Sequence, residues 1–278
     1  MRRGRLLIAA VMGILALVSY YGYREVNPIT GDTQHIALTR EQEVALGLQS
    51  APEMAEQFGG LDPDPAVQAN AAEVGRRIVE HSVAGRTEYP FQFHVLRDRE
   101  TVNAFALPGG PVFITRGLLD RLENEAQLAG VLGHEVGHVL GRHSAEQIAR
   151  SQLAQTLVGA AGVAGSDDRG DGRSAAAMAS FVAQMAQLRY GREDEIQPDT
   201  PAVRLRSEAG YDPRALLGVM KILASAGGSG RTPEFMSSHP DPGNREAVIR
   251  AAIARRYPGG VPSDLTTGRE IALLGAGD

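Results

Sequence analysis

Five consecutive residues, His134-Glu135-Val136-Gly137-His138, combine the types and the spacing that metal-assisted hydrolysis needs. On a helix, residues four apart differ by about 40° around the axis, so both imidazoles face one way and can share an ion. Glu135, beside the first imidazole, is within reach of a water that such an ion polarises. Zinc brings the pKa of that water towards neutrality, and the carboxylate takes its proton as attack on a carbonyl begins. Three fixed positions in five also arise by chance, so the context has to be helical. Leu128, Val131, Leu132, Val136, Val139 and Leu140 give the apolar period of a helix over Glu125–His143, and Glu123 and Glu125 lie near its N-terminal turn.

A third ligand is needed, and spacing tests the options. A metzincin pattern requires histidine at position 144, which is serine, and His143 comes one residue early, about 100° away. A thermolysin-type site requires glutamate about twenty residues on, where the chain reads Leu157-Val158-Gly159. A more distant glutamate remains, and the stretch Arg192-Glu-Asp-Glu-Ile-Gln-Pro-Asp199 offers candidates. The chain has no cysteine, which excludes thiolate ligands, a cysteine nucleophile and disulfides.

Four blocks in order resemble the HtpX-like gluzincins. That group contains the CAAX prenyl endopeptidases and the periplasmic proteases that attend outer-membrane β-barrel assembly, and the likeness is nearest to the latter branch. The blocks are Asn103-Ala-Phe-Ala-Leu-Pro-Gly-Gly110 with Val112–Leu119; His134–His138 extended by Arg142-His143-Ser144; Arg192–Asp199 followed by Ala209-Gly-Tyr-Asp-Pro213; and Ser238-His239-Pro240 with Arg245. Together they span about 39–256. The resemblance implies one zinc ion held by His134, His138 and Glu195, with Glu135 as general base and Asp199 as a second carboxylate donating a proton. It implies that His239 and Arg245 lie over the cleft. Arg245 would steady the oxyanion, and His239 would either help it or cap the zinc in a resting state. The Asn103–Thr115 strands would pair with an extended substrate. This chain departs from the family at Gln197-Pro198, where Glu-Ala is usual, and Pro198 and Pro201 fall where a helix should continue. Pro198 costs about 3 kcal/mol inside a regular helix, which predicts a kink near Glu195 and Asp199. A feeble, chaperone-like metal-binding module is the alternative that this departure suggests.

The elements that must position these residues read as follows. Thr39–Leu48 is helical, with Thr39 and Gln42 as a capping box; Val67–His81 is helical; Phe91–Leu96, Asn103–Leu107 and Pro111–Thr115 are short strands, the last two joined by a turn at Pro108-Gly109-Gly110. Helices follow at Leu153–Ala164, Ala175–Arg189, Tyr211–Ala226 and Glu246–Arg256, with loops at Gly165–Arg173 and Gly227–Arg231. The Ala/Gly-rich segment 154–165 is too short to span a membrane and is expected to pack on the core. His35 reads as a solvated linker residue, His81 and His94 as surface or half-buried structural residues, His143 as a packing or supporting residue beside the ligands, and Glu41 and Glu43 as members of a polar face.

In all, 43% of the 278 residues are hydrophobic, as expected of one globular domain. Net charge is −5, yet Arg2, Arg3, Arg5 and Arg24 against Glu25 give the first 25 residues +3, leaving −8 elsewhere. An acidic body without a basic run argues against nucleic-acid binding. Leu6–Tyr23 is an uncharged run spanning roughly 27 Å as a helix, with arginines before it and three tyrosines at its far end. No small-residue cleavage site follows, so the run reads as an uncleaved anchor in preference to a signal peptide, with the body on the periplasmic side of an inner membrane. The expected fold class is α+β: a mostly helical zincin-type domain with a small sheet beside the metal helix, plus one N-terminal transmembrane helix. The expected segments are 1–25 anchor, 26–38 linker, 39–256 metallopeptidase domain and 257–278 flexible tail. The expected partners are unfolded or misassembled envelope proteins.

Overall fold

A computed structural model describes residues 2–165, 195, 203–226, 233–239 and 244–271. The chain opens with α1 (Arg2–Gly22), a hairpin of β1 (Arg24–Val26) and β2 (Thr33–His35), α2 (Arg40–Gln57) and α3 (Pro65–Glu80). A 3₁₀ turn at Val83–Arg86 leads to β3 (Gln92–Leu96), β4 (Ala104–Ala106), β5 (Pro111–Thr115), α4 (Arg116–Leu119) and α5 (Glu125–Leu140). Then come α6 (His143–Gly165), helical residues 203–208, α7 (Ala215–Ala226), α8 (Glu234–Ser238) and α9 (Arg245–Arg256). The α+β class is the one expected. The helices expected within Leu153–Ala164 and Glu246–Arg256 fall in α6 and α9, whereas Ala175–Arg189 and the loops lie wholly or mostly outside the described residues.

Local chemistry explains the boundaries. Thr39 Oγ1 accepts from the Gln42 amide and the Gln42 side chain accepts from the Thr39 amide, so the capping box starts α2 as read from sequence. Asp64 caps α3 and Pro65 occupies its first turn, where a missing amide costs nothing. In the sheet the order is β3-β5-β4, with β3 parallel to β5 and β4 antiparallel to it. Val67, Val74 and Ile78 of α3 cover one side of this sheet beside Phe93, and α5 packs against β4, β5, α3 and α7. Wrapped this way, all sixteen residues of α5 are buried. The Pro108-Gly109-Gly110 turn seats against α2. Gly109 has φ 77°, and a Cβ there would collide with Val44, while one at Gly47 would collide with the Pro108 carbonyl.

Several expectations change. The helix expected to reach His143 stops at Leu140, because Arg142 takes a left-handed conformation at φ 55° and α6 sets off afresh from His143. Residues 26–38, read as a linker, carry a hairpin whose side chains bond the end of α5. His35 stacks on Tyr20 at 4.7 Å instead of standing in solvent. Glu43 is buried in an ion pair with Arg142 instead of lying on a polar face. The start of the 154–165 segment packs alongside α1 and leaves Leu157 and Val158 exposed, so it is not part of the core. Residues 258–271, read as a loose tail, return to the start of α5, with Ile271 donating to the Glu123 carbonyl at 3.0 Å. The transmembrane expectation also needs correction: among the described residues no helix is long and apolar enough to cross a membrane. The helix ends at Gly22, where the chain turns into β1, so from Leu6 it rises only roughly 25 Å against a core of about 30 Å. Its side chains Leu6, Leu7, Ile8, Val11, Ile14, Leu15 and Val18 are nevertheless exposed.

Candidate metal centre

Helix α5 carries His134 and His138 one turn apart, with Nε2 atoms 3.0 Å from one another. Glu195 stands across from them. Its Oε2 is 3.3 Å from His134 Nε2 and its Oε1 is 3.6 Å from His138 Nε2. His239 joins from the turn after α8, its Nδ1 3.0 Å from Glu195 Oε1 and 3.4 Å from His134 Nε2. Four donor atoms, one from each residue, all lie within 4.8 Å of one another, and all four residues are buried. Three imidazoles and a carboxylate converging in this way could hold a metal ion. Three buried oxygens fit the same reading: Glu195 Oε2 and both carboxylate oxygens of Glu135 have no hydrogen-bond partner among the described residues, although Glu195 Oε2 and Glu135 Oε1 have ion-pair neighbours.

The electrostatics of the cluster follow from its burial. Loss of solvent raises the Glu135 carboxyl above its ordinary range, although His239 and His134 pull the other way. Burial also pushes His138 well down, assisted by His134, so its imidazole is held neutral, the form a metal ligand needs. For Glu195 burial again works upward, but the neighbouring His239, His134 and His138 outweigh it and keep the carboxylate ionised. Arg245, at the first turn of α9 and itself buried, places Nη1 3.3 Å from Glu195 Oε2 and Nη2 3.0 Å from His134 Nδ1.

Of the residues singled out by sequence, the structure brings His134, Glu135, His138, Glu195, His239 and Arg245 together. Asp199, like Gln197, Pro198 and Pro201, lies outside the described residues. Arg245 sits against Glu195 and His134, and His239 Nε2 stands 3.6 Å from Glu135 Oε1. Sequence reading missed Phe235, whose ring stacks on His239 at 4.4 Å and whose amide donates to Val102 at the edge of the sheet. The signal was present: four residues on a helix separate Phe235 from His239. It also missed Asn27, Gln34 and Glu43 at the far end of α5, because each depends on a contact distant in sequence.

The chain is 30% identical over 224 residues to the beta-barrel assembly-enhancing protease of Escherichia coli (strain K12), covering 77% of this chain and 45% of that protein. It is 30% identical over 227 residues to the mitochondrial metalloendopeptidase OMA1 of Schizosaccharomyces pombe, covering 80% and 64%. With the human mitochondrial metalloendopeptidase OMA1 it shares 29% over 260 residues, covering 87% and 48%. The chain thus spans about half the length of the curated relatives it matches. Residues 65–253, which carry β3 to β5, α5 and the cluster of His134, His138, Glu195 and His239, match peptidase family M48. The chain belongs to that family.

Proposed function

We propose that this chain is a zinc-dependent endopeptidase, one zinc per chain, held by His134, His138 and Glu195. The carrying observation is the buried convergence of those three side chains with the carboxylate of Glu135 beside them, which has no hydrogen-bond partner among the described residues. A zinc ion there would polarise the scissile carbonyl and acidify a water molecule. Glu135, with a raised affinity for protons, would take the proton from that water and pass it towards the leaving amine. Arg245 would balance the charge of Glu195 and offer its guanidinium to the developing oxyanion. Asp199 is assigned as a proton donor on family resemblance alone. The outer face of β4, at the edge of its sheet, suits an extended peptide.

His239 stands where a fourth ligand would, which favours its reading as a latch that closes the site. His239→Ala should then raise basal proteolysis with zinc content unchanged; an equal or lower rate rules the latch out. Two further points support a place in envelope quality control. The first relatives are named for β-barrel assembly, and α1 exposes an apolar surface suited to membrane attachment. The substrates are then misassembled envelope proteins on the periplasmic side of an inner membrane.

The deciding experiment measures zinc content and casein degradation together, with a chelator control. Glu135→Gln should keep its zinc and lose at least about 10²-fold in rate, the usual contribution of a positioned base. Undiminished cleavage in that variant would place the activity elsewhere. Glu195→Ala should lose tight zinc, and stoichiometric binding as strong as wild type would remove Glu195 from the ligand set.

A further inference from the structure

His143 lies beside the ligand cluster but is not a member of it. Its Nδ1 is 2.8 Å from His138 Nδ1, and the two rings stand edge to face at 4.9 Å. Nothing in helical spacing would bring them together, since residues five apart on a continuous helix differ by about 140°. Three features of the chain undo that separation. Helix α5 ends at Leu140. Arg142 then turns the backbone through the left-handed region at φ 55°, a conformation that L residues other than glycine adopt at some cost. Finally, Gly141 leaves room for the returning ring: a Cβ there would stand 2.5 Å from His143 Nε2 and 2.7 Å from its Cε1.

The Arg142 turn is held from outside. Its guanidinium is paired with Glu43 and Glu25, and it donates to the Leu38 carbonyl at 2.7 Å. The result is a defined approach of His143 to one atom. His138 Nε2 faces His134 and Glu195, so Nδ1 is the nitrogen turned away from the cluster. A metal-bound neutral imidazole carries its proton on that outer nitrogen, and an acceptor there fixes both ring orientation and tautomer.

We propose that His143 is a positioning residue, accepting the Nδ1–H of His138 to orient that ligand, and that the Gly141-Arg142 turn exists to bring it there. This inference rests on the zinc reading above. It assigns the supporting role to an imidazole where a carboxylate or carbonyl is more usual.

The test compares His143→Leu, which fills space without accepting, with His143→Gln, which offers a carbonyl acceptor. Zinc affinity is measured by chelator competition, and ligand geometry by the absorption spectrum of the cobalt-substituted chain. His143→Leu should bind zinc about 10- to 100-fold more weakly and shift the cobalt bands. His143→Gln should restore most of both, and the thermal midpoint of the apo-protein should stay close to wild type. Wild-type affinity and spectrum in His143→Leu would overturn the proposal, and so would equal losses in the two variants, which mark a packing role. Should His143→Leu fail to fold, Gly141→Ala decides instead, because it displaces the ring and keeps the residue; unchanged zinc affinity there counts against the proposal. A wild-type chain that binds no zinc would defeat the zinc reading itself, so the two failures are distinguishable.

Discussion

Helix α5 is held at both ends by segments from the two extremities of the chain, and the two ends are held differently. At the N-terminal end the amides of Glu125 and Ala126 donate to the carbonyls of Arg269 and Thr267, at 2.9 Å each, while the Asn124 side chain caps Gln127. These are the donors that a helix start leaves without intrahelical partners. At the C-terminal end the orphan groups are carbonyls, and side chains meet them: Asn27 Nδ2 reaches Leu140 O at 2.9 Å and Gln34 reaches Gly141 O. Main-chain bonds can be made by almost any sequence that follows the right path, whereas the far end depends on particular amides and charges. The segment that meets the start of α5 is therefore held largely through its backbone, and the segments that meet its finish through particular side chains.

The strongest challenge to that contrast is Glu43→Ala. It leaves the buried Arg142 with the part-exposed Glu25 as its one charged partner among the described residues, and breaking a buried pair costs about 3 kcal/mol. Urea unfolding should register this, and a loss below about 1 kcal/mol would erase the distinction between the ends.

At the other end the apolar anchor outweighs the charges. Ile271 is buried where the returning segment meets Glu123, and Ile271→Ala should cost about 2 kcal/mol in the same unfolding assay. Arg269 reaches Glu125 at 2.7 Å, but its side chain is largely exposed, so Arg269→Ala should cost at most about 1 kcal/mol. A larger loss would mean that side-chain charge matters at both ends.

The smallest effect concerns Tyr89, beside Glu43. Burial, helped by the charge of Glu43, pushes its phenol up to about 12, so the folded chain holds this proton after an unfolded one has released it. The stability gained is complete below about pH 10 and is lost as pH rises towards 12. An ultraviolet titration should show a late tyrosinate near pH 12 that is lost in Tyr89→Phe, while Tyr211, whose phenol burial also raises, keeps its own late release.

What could be read from sequence follows the range of the interactions. The Thr39 box, the Pro111–Thr115 strand and the paired histidines are set within a few residues, and the α+β class follows from them. Glu195 and His239 lie 61 and 105 residues from His134, and no helical period connects them; family resemblance named them, and geometry then brought them to α5. The end of α5 was placed at His143, three residues late, because the break at Arg142 depends on carboxylates about a hundred residues earlier. Likewise the hairpin at β1 and β2 looked like a linker because its purpose lies in another element. Glu43 alternates with polar neighbours along α2, and only its distant partner Arg142 explains its burial.

The left-handed turn at Arg142 also constrains how this molecule can change. Glycine would suit the backbone at φ 55° better, yet it would leave Glu43 and Glu25 facing one another without a cation. Lysine would keep the charge, but a single ammonium cannot match the planar fork that meets two carboxylates and a carbonyl at once. Asparagine tolerates the dihedral and supplies no charge. Each single replacement satisfies one requirement and violates another, so the route to an alternative turn passes through at least two coordinated changes, one of them in the hairpin or in α2. Drift at this corner should accordingly be slow and paired, with the arginine and its carboxylates kept or lost together.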